Sequence, residues 1–255
     1  MLLTSVLLAT SALADPALGT TECLNAQGQK VESIPLHGGK FTCHTTMTIT
    51  DPDSYVIDFK NTTVIADFSH HLVAADGKTL DANGGISSSE TNPYLLRHGR
   101  KFDLAPGIYQ LTTQLNSPYY LAQPELFVAN EPDYLNEVLK SSAGAILMLG
   151  VLMGIFVYYI SIGLAPGHTT ERMYALFILG NLIFQGTALG AFAQLANTHW
   201  FYLSSAPILL SNIAYVSFVC HLLGINRTQT PKLHKLSLLV YMILLGLLIN
   251  GLANP

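Results

Sequence analysis

The stretch "GAILMLGVLMGIFVYYISIGLAPGHTTERMYALFILG" (residues 144–180) decides the fold class of this chain. No charged residue occurs in it before Glu171. Its first apolar run is long enough to cross the hydrocarbon core of a bilayer, which takes about 20 residues of α-helix. The residues ahead of it are those of an ordinary water-soluble domain. The sequence therefore predicts a chain that folds in two different solvents.

The distribution of charge divides the chain at the same point. Only 11% of the residues are charged, against about 25% in average soluble proteins. Residues 15–140 carry 15 acidic and 8 basic side chains, whereas residues 141–255 carry one acid and four bases. The acidity of the first half and its lack of a basic cluster argue against binding to nucleic acid.

The N-terminus has the pattern of a secretory signal peptide. Residues 2–9 are an apolar run too short to span a bilayer, and Ala12-Leu13-Ala14 is a small-x-small cleavage site. We expect a signal peptide over residues 1–14 with cleavage after Ala14. Because the segment ahead of the apolar run has no Lys or Arg, an uncleaved membrane-associated tail is the alternative. Either reading exports the first half.

The cysteines fit an exported domain. Cys23 and Cys43 lie in the first half, and a cysteine pair in an oxidising compartment most simply forms a disulfide. Two unpaired thiols are the alternative. Cys220 lies in an apolar run and is predicted to be a small residue facing lipid or another helix.

The exported half, residues 15–135, has the patterns of β-structure. In "FTCHTTMTIT" (41–50) apolar and polar residues alternate, which is typical of a strand with one buried face. Further runs follow at 54–59 and 62–68, Asp76-Gly77 indicates a hairpin, and Pro106-Gly107 indicates a turn. About eight short strands predict an all-β sandwich or jelly roll.

The apolar half, residues 141–255, is predicted to form a bundle of four membrane-spanning helices. The four runs are residues 142–164, 174–194, 201–223 and 236–253. Arg172 lies between the first two runs, and Arg227, Lys232 and Lys235 lie between the last two. Since positive charge is enriched in cytoplasmic loops, these two connections are predicted inside, and the middle connection, both chain ends and the β-domain outside.

Three stretches carry a resemblance to a known family. They are "YVIDFKNTTVIADFSHHLVAADGKTL" (55–80), "RKFDLAPGIYQLTTQLNSPYYLAQPELFVANEPDYL" (100–135), and the helical region with its "PKLHK" entry to the last span (231–235). Their order resembles the bacterial seven-transmembrane receptors with diverse intracellular signalling modules. The chain departs from that family in lacking an early Trp/Arg strand motif, in its early cysteine pair, and in having four predicted spans rather than seven.

The resemblance implies a sensory receptor in the bacterial inner membrane with a periplasmic sensor domain. The domain would bind a small molecule, a carbohydrate-like ligand or a periplasmic protein, and the helices would contact the lipid bilayer and carry the change inward. Relatives deliver the output through a diguanylate cyclase or histidine kinase. We therefore expect this chain to be a receptor part rather than an enzyme, with no cofactor, and a homo-oligomer is compatible with it.

One candidate ligand site emerges from the residues themselves. The segment "YLLRHGRK" (94–101) gathers Tyr94, Arg97, His98 and Arg100 in an otherwise acidic domain. Arginine binds carboxylates through paired hydrogen bonds, so a carboxylate or sugar acid is the expected ligand class. A solvated surface loop is the alternative.

Other chemistries find no support in the sequence. No nucleotide-binding, zinc-protease or serine-hydrolase motif occurs. The adjacent histidines of "SHH" (69–71) point to opposite faces of a strand, so no metal site is predicted. A small transporter or channel subunit, or an accessory membrane protein with an exported binding domain, is the alternative function. It is disfavoured because the predicted spans contain no Asp, Glu, Lys or Arg. An outward-facing or lipid-modifying enzyme is a third possibility without an identifiable catalytic set.

Overall fold

The computed structural model describes residues 16–60, 64–191 and 199–253. The predicted signal peptide and its cleavage site after Ala14 lie outside the described residues. Within them, ten β-strands come first and four α-helices follow. This confirms the predicted order of a β-domain followed by helices.

The strands form two antiparallel sheets. The larger sheet has the order β3-β2-β4-β9-β6-β7, with β1 pairing to β4, and the smaller has the order β10-β5-β8. The strand bounds are β1 Ala17–Leu18, β2 Glu22–Asn25, β3 Lys30–Val31, β4 Gly39–Ile49, β5 Asp53–Phe59, β6 Asp67–Ala74, β7 Thr79–Gly84, β8 Arg100–Leu104, β9 Gly107–Ser117 and β10 Leu126–Asn130.

The core lies between the two sheets. Met47, Leu72 and Leu111 from the larger sheet form one buried cluster with Ile57 and Phe102 from the smaller sheet. Side chains from two facing sheets that share one apolar layer define a sandwich-like domain. The sandwich prediction is confirmed at this level, while the jelly-roll connectivity stays a prediction.

The alternation predicted for 41–50 is confirmed in β4. Phe41, Cys43, Met47 and Ile49 are buried, and the intervening His44 is exposed. The disulfide prediction is also confirmed, because Cys23 on β2 is bonded to Cys43, the residue opposite it on β4.

The strand predicted over residues 62–68 is wrong in its extent. Residues 61–63 lie outside the described residues, and β6 begins only at Asp67. The consecutive residues 64–66 are all buried, which a strand with one wet face does not allow. Val64 instead packs with Ile86 and with Ala188 of the helical half.

The helices differ from the four predicted spans. They are α1 Glu131–Gly163, α2 Thr169–Ala188, α3 Ala206–Leu222 and α4 Pro231–Ala253, with a 3₁₀ turn Phe201–Ser204 before α3. By length and composition, α1 and α4 are the described helices able to cross a membrane. The four-span prediction is therefore supported only in part.

The two predicted spans without a helix that meets this criterion are 174–194 and 201–223. Helix α2 includes Glu171, Arg172 and the amides of Asn181 and Gln185, which lower its apolarity, and residues 192–194 lie outside the described residues. The run 201–223 is interrupted by the 3₁₀ turn, which leaves α3 only 17 residues long. At about 1.5 Å per residue, α3 is shorter than a hydrocarbon core of about 30 Å.

Helix α1 begins eleven residues before the predicted span and follows β10 without a linker. Asn130 ends β10 and caps α1, since its side-chain oxygen accepts a hydrogen bond from the backbone N–H of Asp133 at 2.9 Å. Pro132 lies in the first turn, where its missing N–H costs nothing. The result is one helix of 33 residues that continues the β-domain directly.

Helices α2 and α3 pack closely at Gly180. A Cβ built there would lie 2.6 Å from Cβ of Ser211 and 2.8 Å from the carbonyl oxygen of Pro207. Next to this contact the amide of Asn181 donates to Ser211 Oγ at 2.7 Å. A small residue and an interhelical hydrogen bond thus hold the two helices together.

A Gly180→Leu substitution is expected to separate α2 from α3 and to destabilise the helical half by about 1–3 kcal/mol, the usual cost of overpacking. Thermal unfolding of the detergent-solubilised chain, followed by the helical circular dichroism signal, measures the loss. Gly150→Leu is the matched control, because a Cβ at Gly150 meets nothing within 4 Å. Equal melting temperatures for the two variants would contradict the proposed contact.

The β-domain rests on one end of the helices. Tyr119 donates a hydrogen bond to Ser204 Oγ at 2.6 Å and packs edge-on against Phe201. Tyr202 in turn donates to the carbonyl oxygen of Leu248 in α4 at 2.6 Å. Arg172, in the first turn of α2, and the connection that carries Arg227 therefore lie at the opposite end of the helices from the β-domain.

Candidate functional site

The segment of residues 94–100 lies on the side of the β-domain that contacts α1. Tyr94, Leu96, His98 and Arg100 are buried. Leu96 has φ 58°, and it is the one non-glycine residue with positive φ among the described residues. A branched residue in this region is strained, and such strain persists where surrounding contacts fix the backbone. The segment is thus a packed element and not the solvated loop of the alternative reading.

A clamp formed by Asp58, Arg97 and Tyr134 joins this segment to α1. The Asp58 carboxylate, 2% exposed on β5, accepts hydrogen bonds from Arg97 Nε at 2.9 Å and from the Tyr134 hydroxyl at 2.7 Å. Arg97 also lies over the ring of Phe127 on β10. A buried carboxylate is tolerated where a charged partner and further donors satisfy it, and the clamp supplies both.

Glycine at position 99 makes room for the clamp. A Cβ there would lie 2.5 Å from the Tyr134 hydroxyl oxygen and 2.8 Å from Val56 Cγ1. Because neither the ring nor the strand can retreat freely, only glycine lets α1 approach the sheet this closely.

Three further contacts extend the attachment along α1. Glu131 accepts hydrogen bonds from Tyr94 at 3.1 Å and from Lys101 at 2.7 Å. The first turn of α1 is thereby held by the segment before β8 and by β8 itself. The hydrogen bond to Glu131 raises the pKa of Lys101, and burial, followed by the contact with Glu131, raises that of Tyr94. Three turns on, Ser142 donates to the carbonyl oxygen of Leu95 at 3.0 Å.

A cleft of about 360 Å³ opens on the other side of the same segment. Tyr94, His98 and Arg100 line it from the β-domain, and Gly190 and His199 line it from the helical half. The remaining lining belongs to the loop between β7 and β8, residues 85–95. The cleft therefore lies at the junction of the two halves of the chain.

Arg100 is the cationic side chain of this cleft. Its guanidinium lies over the ring of Phe68, and its Nε donates to the carbonyl oxygen of Asn83 at 2.6 Å. Gly84 allows this approach, since a Cβ there would lie 2.5 Å from Arg100 Nη2. Burial lowers the pKa of Arg100, yet its guanidinium stays charged at neutral pH because arginine is not deprotonated in proteins.

His70 lies beneath Arg100 and adds no charge. Burial, together with the positive charge of Arg100, lowers the pKa of His70 to about 3. The neutral imidazole makes a hydrogen bond with Thr113 Oγ1 at 2.9 Å and stacks on Phe59. His70 therefore adds no second positive charge beside the guanidinium.

The structure divides the four residues predicted as a ligand site. Tyr94, His98 and Arg100 share the cleft, whereas Arg97 points to the opposite side and is paired with Asp58. The sequence reasoning did not identify Asp58, Tyr134 or Glu90 as functional candidates. A signal for Asp58 was available, because a carboxylate inside the apolar strand "SYVIDF" requires a buried partner.

The structure also shows where the adjacent histidines lie, at which no metal site was predicted. His70 is buried inside the sandwich and His71 is exposed on its outer face. Among the described residues, no group of three or more His, Cys, Asp or Glu side chains is arranged to hold a metal ion.

No protein-family model matches the chain, and the curated proteins contain no significant match. Among solved structures, the chain is similar to one described as "TmCBM61 in complex with beta-1,4-galactotriose". The match has 10% sequence identity and a TM-score of 0.24, and it covers 47% of this chain and 90% of the other. At these values the similarity assigns neither a family nor a ligand, and the receptor resemblance stays a hypothesis.

Proposed function

We propose that this chain is the sensing and transducing part of a membrane receptor. Its β-domain would lie outside the cell membrane and detect a small molecule, a carbohydrate-like ligand or a periplasmic protein. Its helices would carry the change to a signalling output inside, of the kind that the resemblance implies. The chain itself would not catalyse a reaction.

The observation that carries this proposal is the rigid continuity between the β-domain and α1. The helix starts at the residue after β10 and is held to the sandwich by the clamp, by Glu131 and by Ser142. A change in the position of residues 94–100 therefore acts on α1 directly, without a flexible linker that would absorb it. At about 1.5 Å per residue, α1 is roughly 50 Å long, and its first three turns lie against the β-domain.

The exposed side chains of the helices support a membrane environment. Leu147 of α1 is 71% exposed and Met242 of α4 is 66% exposed, and many other large apolar residues of both helices are similarly uncovered. Such surfaces are favourable in lipid and unfavourable in water. The disulfide of the β-domain agrees with its export to an oxidising compartment.

The orientation and the four-span topology belong to this proposal. The contact of Tyr119 with Ser204 supports a position of the α2–α3 connection on the side of the β-domain. The four bases near the other end of the helices favour the cytoplasm for that end. In this arrangement α2 and the shorter α3 cross the membrane together as a packed pair, and their polar groups face each other.

Reporter fusions test the topology and the export of the sensor. Fusions of alkaline phosphatase after Trp200 and after Pro255 are expected to be active, because both positions would lie outside. Fusions after Gly167 and after Thr228 are expected to be inactive with phosphatase and fluorescent with a cytoplasmic reporter. Each position carries both reporters, so each serves as the control for the other.

The fusion after Trp200 separates four crossings from two. If only α1 and α4 cross, Trp200 lies inside and the phosphatase there is inactive. The inverse pattern at all four positions would place the β-domain in the cytoplasm, and the proposal of an external sensor would be wrong.

A further inference from the structure

We propose that the cleft at the junction of the β-domain and the helices binds a small hydroxylated monocarboxylate, such as a sugar acid, through Arg100. The signalling role of such a ligand rests on the proposed receptor function. Its chemical class is inferred from the cleft alone. The starting observation is that two arginines three residues apart have different partners.

Arg97 and Arg100 are both largely buried, but only Arg97 forms an ion pair with a carboxylate, whereas Glu90 acts on Arg100 from more than 4 Å away. Among the described residues, no carboxylate oxygen lies within 4 Å of the Arg100 guanidinium, which is 7% exposed. The partners of Arg100 are neutral oxygens: the carbonyls of Asn83 and Gly99 and the side-chain oxygen of Asn92. Burying a charge is costly unless an opposite charge compensates it. An anion in the cleft would supply that compensation.

The orientation of the Arg100 guanidinium is fixed by its neighbours. Nε and Nη1 donate to the three neutral oxygens, and Nη2 lies against Gly84, where a Cβ would be 2.5 Å away. The ring of Phe68 covers one face of the guanidinium and fixes its plane. A planar donor held in this way matches a carboxylate better than a flexible ammonium does.

The rest of the cleft favours hydroxyl groups on the ligand. Ser88, Ser89 and Thr91 offer hydroxyl groups, while Ile86 and Pro93 give an apolar surface. Glu90 also lines the cleft, where it would accept hydrogen bonds from hydroxyls and repel a second negative charge. A volume of about 360 Å³ suits a small ligand rather than a polymer. These features together select one carboxylate with several hydroxyls.

The position of the cleft gives such a ligand a route to the helices. Gly190 and His199 complete the lining from the helical half. The residues that would hold the ligand, Tyr94 and Arg100, lie on the same segment as Arg97 of the clamp. A ligand bound in the cleft would therefore affect the positions of both α1 and the end of α2.

Calorimetry on the full chain in detergent tests the proposal with three pairs of probes. Galacturonate, glucuronate and gluconate are each compared with a neutral counterpart: galactose, glucose and sorbitol. At least one acid is expected to bind ten-fold or more tightly than its counterpart. Arg100→Gln should abolish this preference, and Lys101→Gln, which removes the neighbouring exposed cation, should leave it unchanged.

A second variant protects the test against misfolding of Arg100→Gln. Glu90 is exposed, so Glu90→Gln should fold normally and should strengthen binding of the same acid several-fold by removing repulsion. The proposal is overturned if no acid binds more tightly than its neutral counterpart, or if Glu90→Gln leaves the preference unchanged. Either result would leave the topology test untouched, so failure of this site and failure of the receptor proposal are distinguishable.

Discussion

An Asp58→Ala variant is expected to lose about 3–5 kcal/mol of the unfolding free energy of the β-domain, the usual cost of breaking a buried ion pair from one side. The substitution leaves the Arg97 guanidinium, 15% exposed, without a carboxylate, and it leaves the Tyr134 hydroxyl without its acceptor. For a domain of this size the melting temperature should fall by more than about 10 °C. Differential scanning calorimetry of the solubilised chain measures the change.

Two further variants show whether the loss comes from the clamp. Asp103→Ala is the matched control. The Asp103 carboxylate is exposed and accepts a hydrogen bond from Ser54 Oγ. Its removal should lower the unfolding free energy by less than about 0.5 kcal/mol. The combination of Asp58→Leu, Arg97→Met and Tyr134→Phe removes all three polar partners at once. It should recover most of the stability, because an apolar replacement of a complete buried pair is often neutral. A loss in Asp58→Ala no larger than in Asp103→Ala would contradict the clamp.

Removal of the disulfide by Cys23→Ala and Cys43→Ala is expected to cost about 3 kcal/mol. The bond closes a loop with a sequence separation of 20 residues, and its loss restores the corresponding freedom to the unfolded chain. Cys43 is 2% exposed, so the smaller alanine side chain also leaves part of the core unfilled. Thermal unfolding of the variant and of the wild type treated with reductant should show similar falls in melting temperature.

Cys220→Ala is the control for the disulfide experiment. Cys220 is the free cysteine among the described residues and lies in α3, so its removal should leave the melting temperature of the β-domain unchanged. If the wild type has the same melting temperature with and without reductant, the disulfide does not stabilise the domain and the prediction is wrong.

The clamp variant Asp58→Ala and the disulfide variant also separate an effect on the stability of the β-domain from an effect on the attachment of α1. The disulfide joins β2 to β4 in the larger sheet, whereas the clamp joins β5 of the smaller sheet to α1. Loss of either stabilising element lowers the melting temperature of the β-domain. Only loss of the clamp should also free the start of α1, which hydrogen exchange of the backbone amides near Tyr134 would detect.

The sequence by itself determined the features that depend on local pattern. The alternation in β4 predicts which side chains are buried, because neighbouring residues of a strand point to opposite faces. The cysteine pair and the N-terminal pattern predict an exported domain, and the long uncharged runs after Gly144 predict apolar helices. Each of these signals lies within about 20 residues of chain, and the structure confirms the disulfide, the β-domain and its order before the helices.

Only the tertiary structure decided the features that join distant parts of the chain. Asp58 meets Arg97 across 39 residues and Tyr134 across 76 residues, and no local pattern specifies such pairings. For the same reason the sequence pattern predicts the same role, ligand binding, for Arg97 and Arg100. Folding places Arg97 against a buried carboxylate and Arg100 in a cleft.

The helix boundaries show the same division. Apolar runs predict where a helix can lie in lipid, but the start of α1 at Glu131 is set by its cap at Asn130 and by its packing on the β-domain. The close approach of Gly180 to Ser211 is a property of two helices together. Periodicity and the Asn130 cap are properties of a single segment, whereas charge pairing and interhelical packing depend on which segments folding brings into contact.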